Sequence, residues 1–197
     1  MIDPHKHGLQ PYGCGCVLFR DAAVGALYKH DSPYTYFSSK DLHLGEISLE
    51  CSRPGASAVA LWATQRLLPL VPVGEFATGL SASRSAALDL SRRLAESPEW
   101  VVPFPPELDI VVWAPRAKSA SAAAAMSQQI FDRAAAESLH LALIQLPTRF
   151  FSRSQFEPDQ EHILCLRSVL MKPEHAQWVE EIVKRLNQIH PTLKSGK

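Results

Sequence analysis

Apolar residues along this chain fall into two periods, and the alternation between them outlines its elements. Short continuous apolar runs predict strands at Cys16-Val17-Leu18-Phe19, Val24-Gly25-Ala26-Leu27-Tyr28, Leu108-Asp109-Ile110-Val111-Val112-Trp113, His140-Leu141-Ala142-Leu143-Ile144-Gln145 and residues 163–170. Spacings of three and four predict helices. Val59, Trp62, Ala63 and Arg66 mark one over residues 56–68, opened by Ser52-Arg53-Pro54-Gly55 and ended by Pro69 and Pro72, which lack an amide donor. Phe76, Leu80, Ala87, Leu90 and Leu94 share a face over residues 75–95. Ser119-Ala120-Ser121 caps an alanine-rich helix to about residue 138, and Ala176, Val179, Ile182, Val183, Leu186 and Ile189 form a stripe over residues 174–189. The order strand–helix–strand–strand–helix in the second half predicts a small α+β layer with its helices on one face of a sheet. The prolines and glycine of residues 69–74 place a boundary there. The expected organisation is α/β: a partial first domain over residues 1–72 and a small α+β domain over residues 73–197.

Composition narrows the function classes. The chain has 197 residues, 46% of them hydrophobic, and 20 Lys+Arg balance 20 Asp+Glu. No net field therefore favours nucleic acid or an anionic membrane. No apolar stretch approaches the roughly 20 residues of a membrane span. Four cysteines are too few for a disulfide scaffold in a chain this long. The polar, histidine-rich start carries no leader pattern, so the expectation is a cytoplasmic protein without membrane or nucleic-acid partners.

The densest chemistry lies at residues 3–16, where Asp3-Pro4-His5-Lys6-His7-Gly8 runs into Pro11-Tyr12-Gly13-Cys14-Gly15-Cys16. Three readings of it compete. In the first, the histidines and Lys6 are a solvated segment and the cysteines are small core residues. In the second, His-x-His and Cys-x-Cys bind zinc, although one residue between the cysteines is too short for the usual knuckle. In the third, Lys6 is a nucleophilic amine that forms a Schiff base, which requires desolvation or a cationic neighbour to free its lone pair.

A resemblance separates these readings. Asp-Pro-His-Lys, then Pro-Tyr-Gly-Cys-Gly and Val-Leu-Phe-Arg-Asp, resembles the active-lysine segment of the pyridoxal-phosphate-dependent group II amino-acid decarboxylases. The likeness continues through Cys51-Ser52-Arg53-Pro54-Gly55 with Ala60-Leu61-Trp62, and through Leu166-Arg167-Ser168-Val169-Leu170-Met171. It implies the C-terminal portion of a fold type I, transferase-like enzyme, with pyridoxal 5'-phosphate as cofactor and an amino acid as substrate. It implies no metal. Lys6 would carry the cofactor as an internal aldimine, His5 would contact its phosphate, and Asp3 would be a polar cofactor-binding neighbour. Tyr34 or Tyr36 would match the loop tyrosine that returns a proton to the substrate carbon, and Arg53 would face the cofactor or a neighbouring subunit. His7 departs from the aromatic or aliphatic residue of the relatives.

The resemblance also implies that the pyridinium-pairing aspartate, the ring-stacking residue and the phosphate cradle lie upstream of Lys6, outside this chain, and that the full-length form is a homodimer. The expected activity is amino-acid decarboxylation needing that upstream half. The alternative is a non-catalytic remnant that at most binds a partner. On either reading, residues 1–70 are expected to expose apolar surface, and the segment from about residue 75 to form the well-packed part.

Overall fold

The computed structural model describes residues 2–30, 43–47 and 55–195, with the backbone alone at residues 44, 45 and 191–195. The chain divides into two compact units, Met1–Leu70 and Val71–Lys197. In the first unit, Ile2 and Cys16 exchange both backbone hydrogen bonds, at 2.8 and 2.9 Å, as an isolated antiparallel bridge. The strand expected at Cys16–Phe19 stops there. Val17, Leu18 and Phe19 are exposed and make no ladder among the described residues.

Residues 24–28 are not a strand either. They belong to a 3-10 helix, Ala22–Tyr28, because Asp21 precedes the run and its carboxylate accepts from Ala23 N–H at 2.9 Å. That local cap outcompetes an extended conformation for which the described residues offer no partner strand. A four-residue helix, α1 (Leu44–Ile47), follows, and its Glu46 carbonyl accepts from His30 N–H at 2.8 Å.

Helix α2 (Ala56–Leu67) forms where the apolar spacing predicts it. None of its residues is buried. Val59, Trp62 and Leu67 are exposed, and the Arg66 guanidinium lies over the Trp62 ring, 5.2 Å from its centroid. This face presents to solvent the kind of side chains that cores normally hold, as expected for residues 1–70.

The second unit runs α3 (Glu75–Glu96), β1 (Trp100–Val101), β2 (Ile110–Pro115), α4 (Ala120–Ala136), β3 (Ala142–Pro147), β4 (His162–Val169) and α5 (Val179–Ser195). Its sheet is antiparallel, in the order β1-β2-β4-β3. β4 enters between β2 and β3, so both of its edges are paired: Leu166 stands opposite Trp113 on one side and Leu143 on the other. Successive side chains of a strand point to opposite faces, and the core divides accordingly. Val111, Trp113 and Leu166 pack with Leu90 and Leu94 of α3, Ile130 of α4, and Leu186 and Ile189 of α5. Val112, Ala114, Ile163 and Cys165, on the opposite face, pack with Ala120, Ala123, Phe151 and Phe156.

Both faces of the sheet are therefore buried, the second in addition to the face on which α3, α4 and α5 pack. The second cover comes largely from the β3–β4 connection. Glu157 carbonyl accepts from Ala120 N–H and Glu157 N–H donates to Lys118 carbonyl, each at 3.0 Å, tying the connection to the start of α4. Asp159 reinforces the tie by accepting from the backbone and the hydroxyl of Ser121. These hydrogen bonds, led by that of the hydroxyl, hold its carboxyl below the usual range.

The stripe read as one helix over residues 174–189 is two elements. Pro173 starts a 3-10 turn, Pro173–Gln177, capped by Lys172 and His175, and α5 begins only after Trp178. Close packing explains the break. A Cβ on Gly79 of α3 would sit 3.2 Å from Pro173 Cγ, and Ser83 Oγ donates to Met171 carbonyl at 3.2 Å. The far end of α5 is fixed by Trp100 Nε1 donating to Asn187 Oδ1 at 3.1 Å and by the edge-on contact of Trp100 with the buried His190. No helix of the described residues is long and apolar enough to cross a membrane.

Two outcomes follow from this packing. Leu166→Ala removes a fully buried side chain between two strands and should cost about 2–5 kcal/mol in urea unfolding, whereas exposed Trp62→Ala should stay within about 0.5 kcal/mol. Cys165 is fully buried, and burial pushes its thiol from 9.0 up to about 12. Its thiol should resist alkylation at pH 8 until the chain unfolds. In the unfolded chain the thiol loses its proton first, so the second unit should lose stability as pH rises from 9.0 toward about 12. Cys165→Ala should flatten that part of a pH–stability profile.

Candidate functional site

Residues 4–8 form a tight turn, and hydrogen bonds close it at both ends. Lys6 N–H donates to Asp3 carbonyl at 3.0 Å and Gln10 N–H to Pro4 carbonyl at 3.1 Å. The close approach needs glycine at position 8, because a Cβ there would lie 2.7 Å from both Cα and carbonyl oxygen of Pro4. Gln10 then latches the turn to α2. Its amide nitrogen donates to Gly8 carbonyl at 3.1 Å and to Thr64 Oγ1 at 2.7 Å, and the Thr64 hydroxyl donates to Ala60 carbonyl at 3.0 Å. Cys14, buried, adds a second anchor to the same helix by directing its thiol at Ser57 carbonyl over 3.8 Å. Nothing in the composition marked Gln10. Its signal is only its place two residues after a glycine that must turn.

On this platform the three expected residues come together. Lys6 Nζ donates to Asp3 Oδ2 at 2.9 Å. That hydrogen bond leads the causes that hold the Asp3 carboxyl below its usual range; partial desolvation opposes it, and the charges of Lys6 and His5 assist it. His5 turns its Nδ1 to Cys14 carbonyl at 3.3 Å, and its ring lies 5.2 Å from that of Tyr12. A carbonyl oxygen can only accept, so Nδ1 carries the proton in this contact. Nε2 then becomes a donor only in the imidazolium form.

His5 and Cys14 face backbone carbonyls, and no cluster of three or more metal-ligating side chains occurs among the described residues. Tyr34, Tyr36 and Arg53 lie outside the described residues, as does most of the Cys51–Gly55 motif.

A second region belongs to the second unit alone. A groove of about 430 Å³ is lined by residues including Leu139, His140, Arg167, His175, Trp178 and Ile182. Arg167 Nε is buried there without a hydrogen-bond partner among the described residues. The sequence motif around Arg167 marks the strand; only the packing shows that its Nε is buried without a partner among the described residues.

No protein-family model matches the chain. It is 33% identical over 98 residues to an L-tyrosine decarboxylase of Enterococcus faecium, an alignment spanning 48% of this chain and 15% of that enzyme. Its fold superposes on the apo form of mouse CSAD with a TM-score of 0.69 at 14% identity, over 95% of this chain and 38% of the other. The Oryza sativa TDC solved with PLP and tryptamine gives 0.61 at 13% identity, over 84% and 33%. The curated relatives are amino-acid decarboxylases, and the chain has the fold of part of a fold type I pyridoxal-phosphate-dependent decarboxylase. The match spans only a fraction of each relative.

The geometry of the turn has a direct test. Gly8→Ala should open the contact with Pro4 and loosen the hydrogen bonds of Gln10, while the second unit keeps its stability. Hydrogen exchange should show faster exchange at Lys6 and Gln10 N–H and no change in β2 and β4.

Proposed function

We propose that this chain carries the lysine of a pyridoxal-phosphate-dependent amino-acid decarboxylase, a carboxy-lyase, and that Lys6 is that lysine. The observation that supports it is the turn itself. A latched backbone presents one amine, with its side chain 60% exposed, beside an imidazole and a carboxylate. The residues fit the cofactor. The Lys6 amine suits its aldehyde, and His5, when protonated, offers an Nε2 donor to its phosphate. Bound there, pyridoxal 5'-phosphate supplies the electron sink that lets an α-carboxylate leave as carbon dioxide.

The chain's own contribution is orientation and charge. The Gln10–Thr64 latch fixes where Lys6 stands, and Asp3 and His5 set the polarity around its nitrogen. The ring-nitrogen partner and the phosphate cradle that the resemblance places upstream of Lys6 are proposed to come from polypeptide beyond these 197 residues. The substrate is an amino acid; the resemblance assigns no particular side chain.

A second reading rests on the exposed apolar side chains of Val17, Leu18, Phe19, Val59, Trp62 and Leu67. In it the chain binds a partner through that surface and performs no chemistry.

Incubation with pyridoxal phosphate followed by borohydride reduction separates the two. The decarboxylase reading expects a reduced adduct on the peptide containing Lys6 and its loss in Lys6→Ala. Adduct spread evenly over the surface lysines, or undiminished in the variant, would sink it and leave the partner-binding reading.

A further inference from the structure

The proposed chemistry needs Lys6 as a free amine, yet in this structure its nitrogen is committed to Asp3 Oδ2 at 2.9 Å. The commitment is built into the backbone. Asp3 and Lys6 are three residues apart across one turn, their main chains are joined by Lys6 N–H donating to Asp3 carbonyl at 3.0 Å, and Pro4 restricts φ between them. Gly8 packs directly on that proline, so the turn has little room to relax. Asp3 is also the more sheltered partner, its side chain 29% exposed against 60% for Lys6. An amine attacks a carbonyl carbon with its lone pair, and an ammonium donating to a carboxylate has none to offer.

We propose that Asp3 is a positioning residue that parks Lys6 as a hydrogen-bonded ammonium, and that Lys6 condenses with an aldehyde only after this ion pair is released. The inference rests on the reading of Lys6 as the carbonyl-condensing amine and adds a control step to it. Once the contact breaks, the ammonium gives one proton to a solvent base. The freed lone pair forms the carbon–nitrogen bond, and the carbonyl oxygen leaves as water. No oxidant or reductant enters. The role of Asp3 is to hold the nucleophile in place until an aldehyde-bearing ligand releases it.

Trace acetylation of the full chain by acetic anhydride reads the availability of the Lys6 lone pair without any cofactor. Lys6 is quantified by peptide mass spectrometry against the other lysines of the same digest. In about 0.05 M salt, Asp3→Asn should label Lys6 about two- to fivefold faster than the unsubstituted chain, the range an exposed ion pair spans. Asp3→Glu, which keeps the charge, should label close to the unsubstituted rate. In about 1 M salt, where charges are screened beyond about 3 Å, the unsubstituted chain should rise toward the Asn variant.

Equal labelling of the unsubstituted chain and Asp3→Asn overturns the proposal. So does a Glu variant that behaves like the Asn variant, because shape rather than charge would then control Lys6. In a parallel arm, pyridoxal phosphate with borohydride should trap Lys6 faster in Asp3→Asn by a similar factor. If neither protein traps the cofactor, the decarboxylase reading fails, while the anhydride arm still decides whether Asp3 parks the lysine.

Discussion

Where β2 pairs with β4, Trp113 stands opposite Leu166, and the second unit is organised around that register. Both side chains are fully buried, and the residues on either side of each alternate to the other face of the sheet. A one-residue slip would exchange the two faces. Val112, Ala114 and Cys165 would then meet the helices, and the tryptophan would be sent against Phe151 and Phe156. Because Trp113 and Leu166 fill the core on one face and Val112, Ala114 and Cys165 the core on the other, only one register fills both. The cost of misregister is what makes this half of the chain specific.

The lysine-bearing turn depends on a different constraint. It has little apolar burial of its own, Pro4 and Cys14 being its buried apolar side chains among the described residues. Its shape comes from backbone stereochemistry and a few hydrogen bonds: Pro4 against Gly8, Gln10 to Thr64, and Ile2 with Cys16. Such a turn defines directions well while contributing little to stability, since each bond formed replaces one to water. That suits the role proposed for Lys6, which stands in one place and changes partners. Lys6 and Asp3 form an exposed pair whose energy is small in water.

Local signals in the sequence were informative where the physics is local. Helix α3 and helix α4 lie where the spacing of Leu90 and Leu94 and the cap at Ser119 place them. The runs at Ile110, Ile144 and Ile163 are strands. Failures came where an apolar run had no partner or a better local option. Val24–Tyr28 is drawn into a 3-10 turn by Asp21, and Val17–Phe19 make no ladder among the described residues. The break between Pro173 and α5 depends on Gly79 and Ser83, about ninety residues earlier, and no window around Pro173 contains that information.

The candidate site divides in the same way. The order Asp3-Pro4-His5-Lys6 and the glycine two residues on determine by themselves that an amine, an imidazole and a carboxylate share one turn, because proline and glycine dictate backbone geometry over that distance. Tertiary structure decided where the turn is held and what His5 touches. The turn is held on α2 through Gln10 and Thr64, fifty-four residues apart, and His5 spends its Nδ1 proton on Cys14 carbonyl. Lys6, the nucleophile read from the motif, folds with its nitrogen already held by Asp3. A motif specifies which groups are near one another along the chain. Which hydrogen bond each one makes depends on what the folded chain brings within 3 Å, and a linear pattern does not contain that distance.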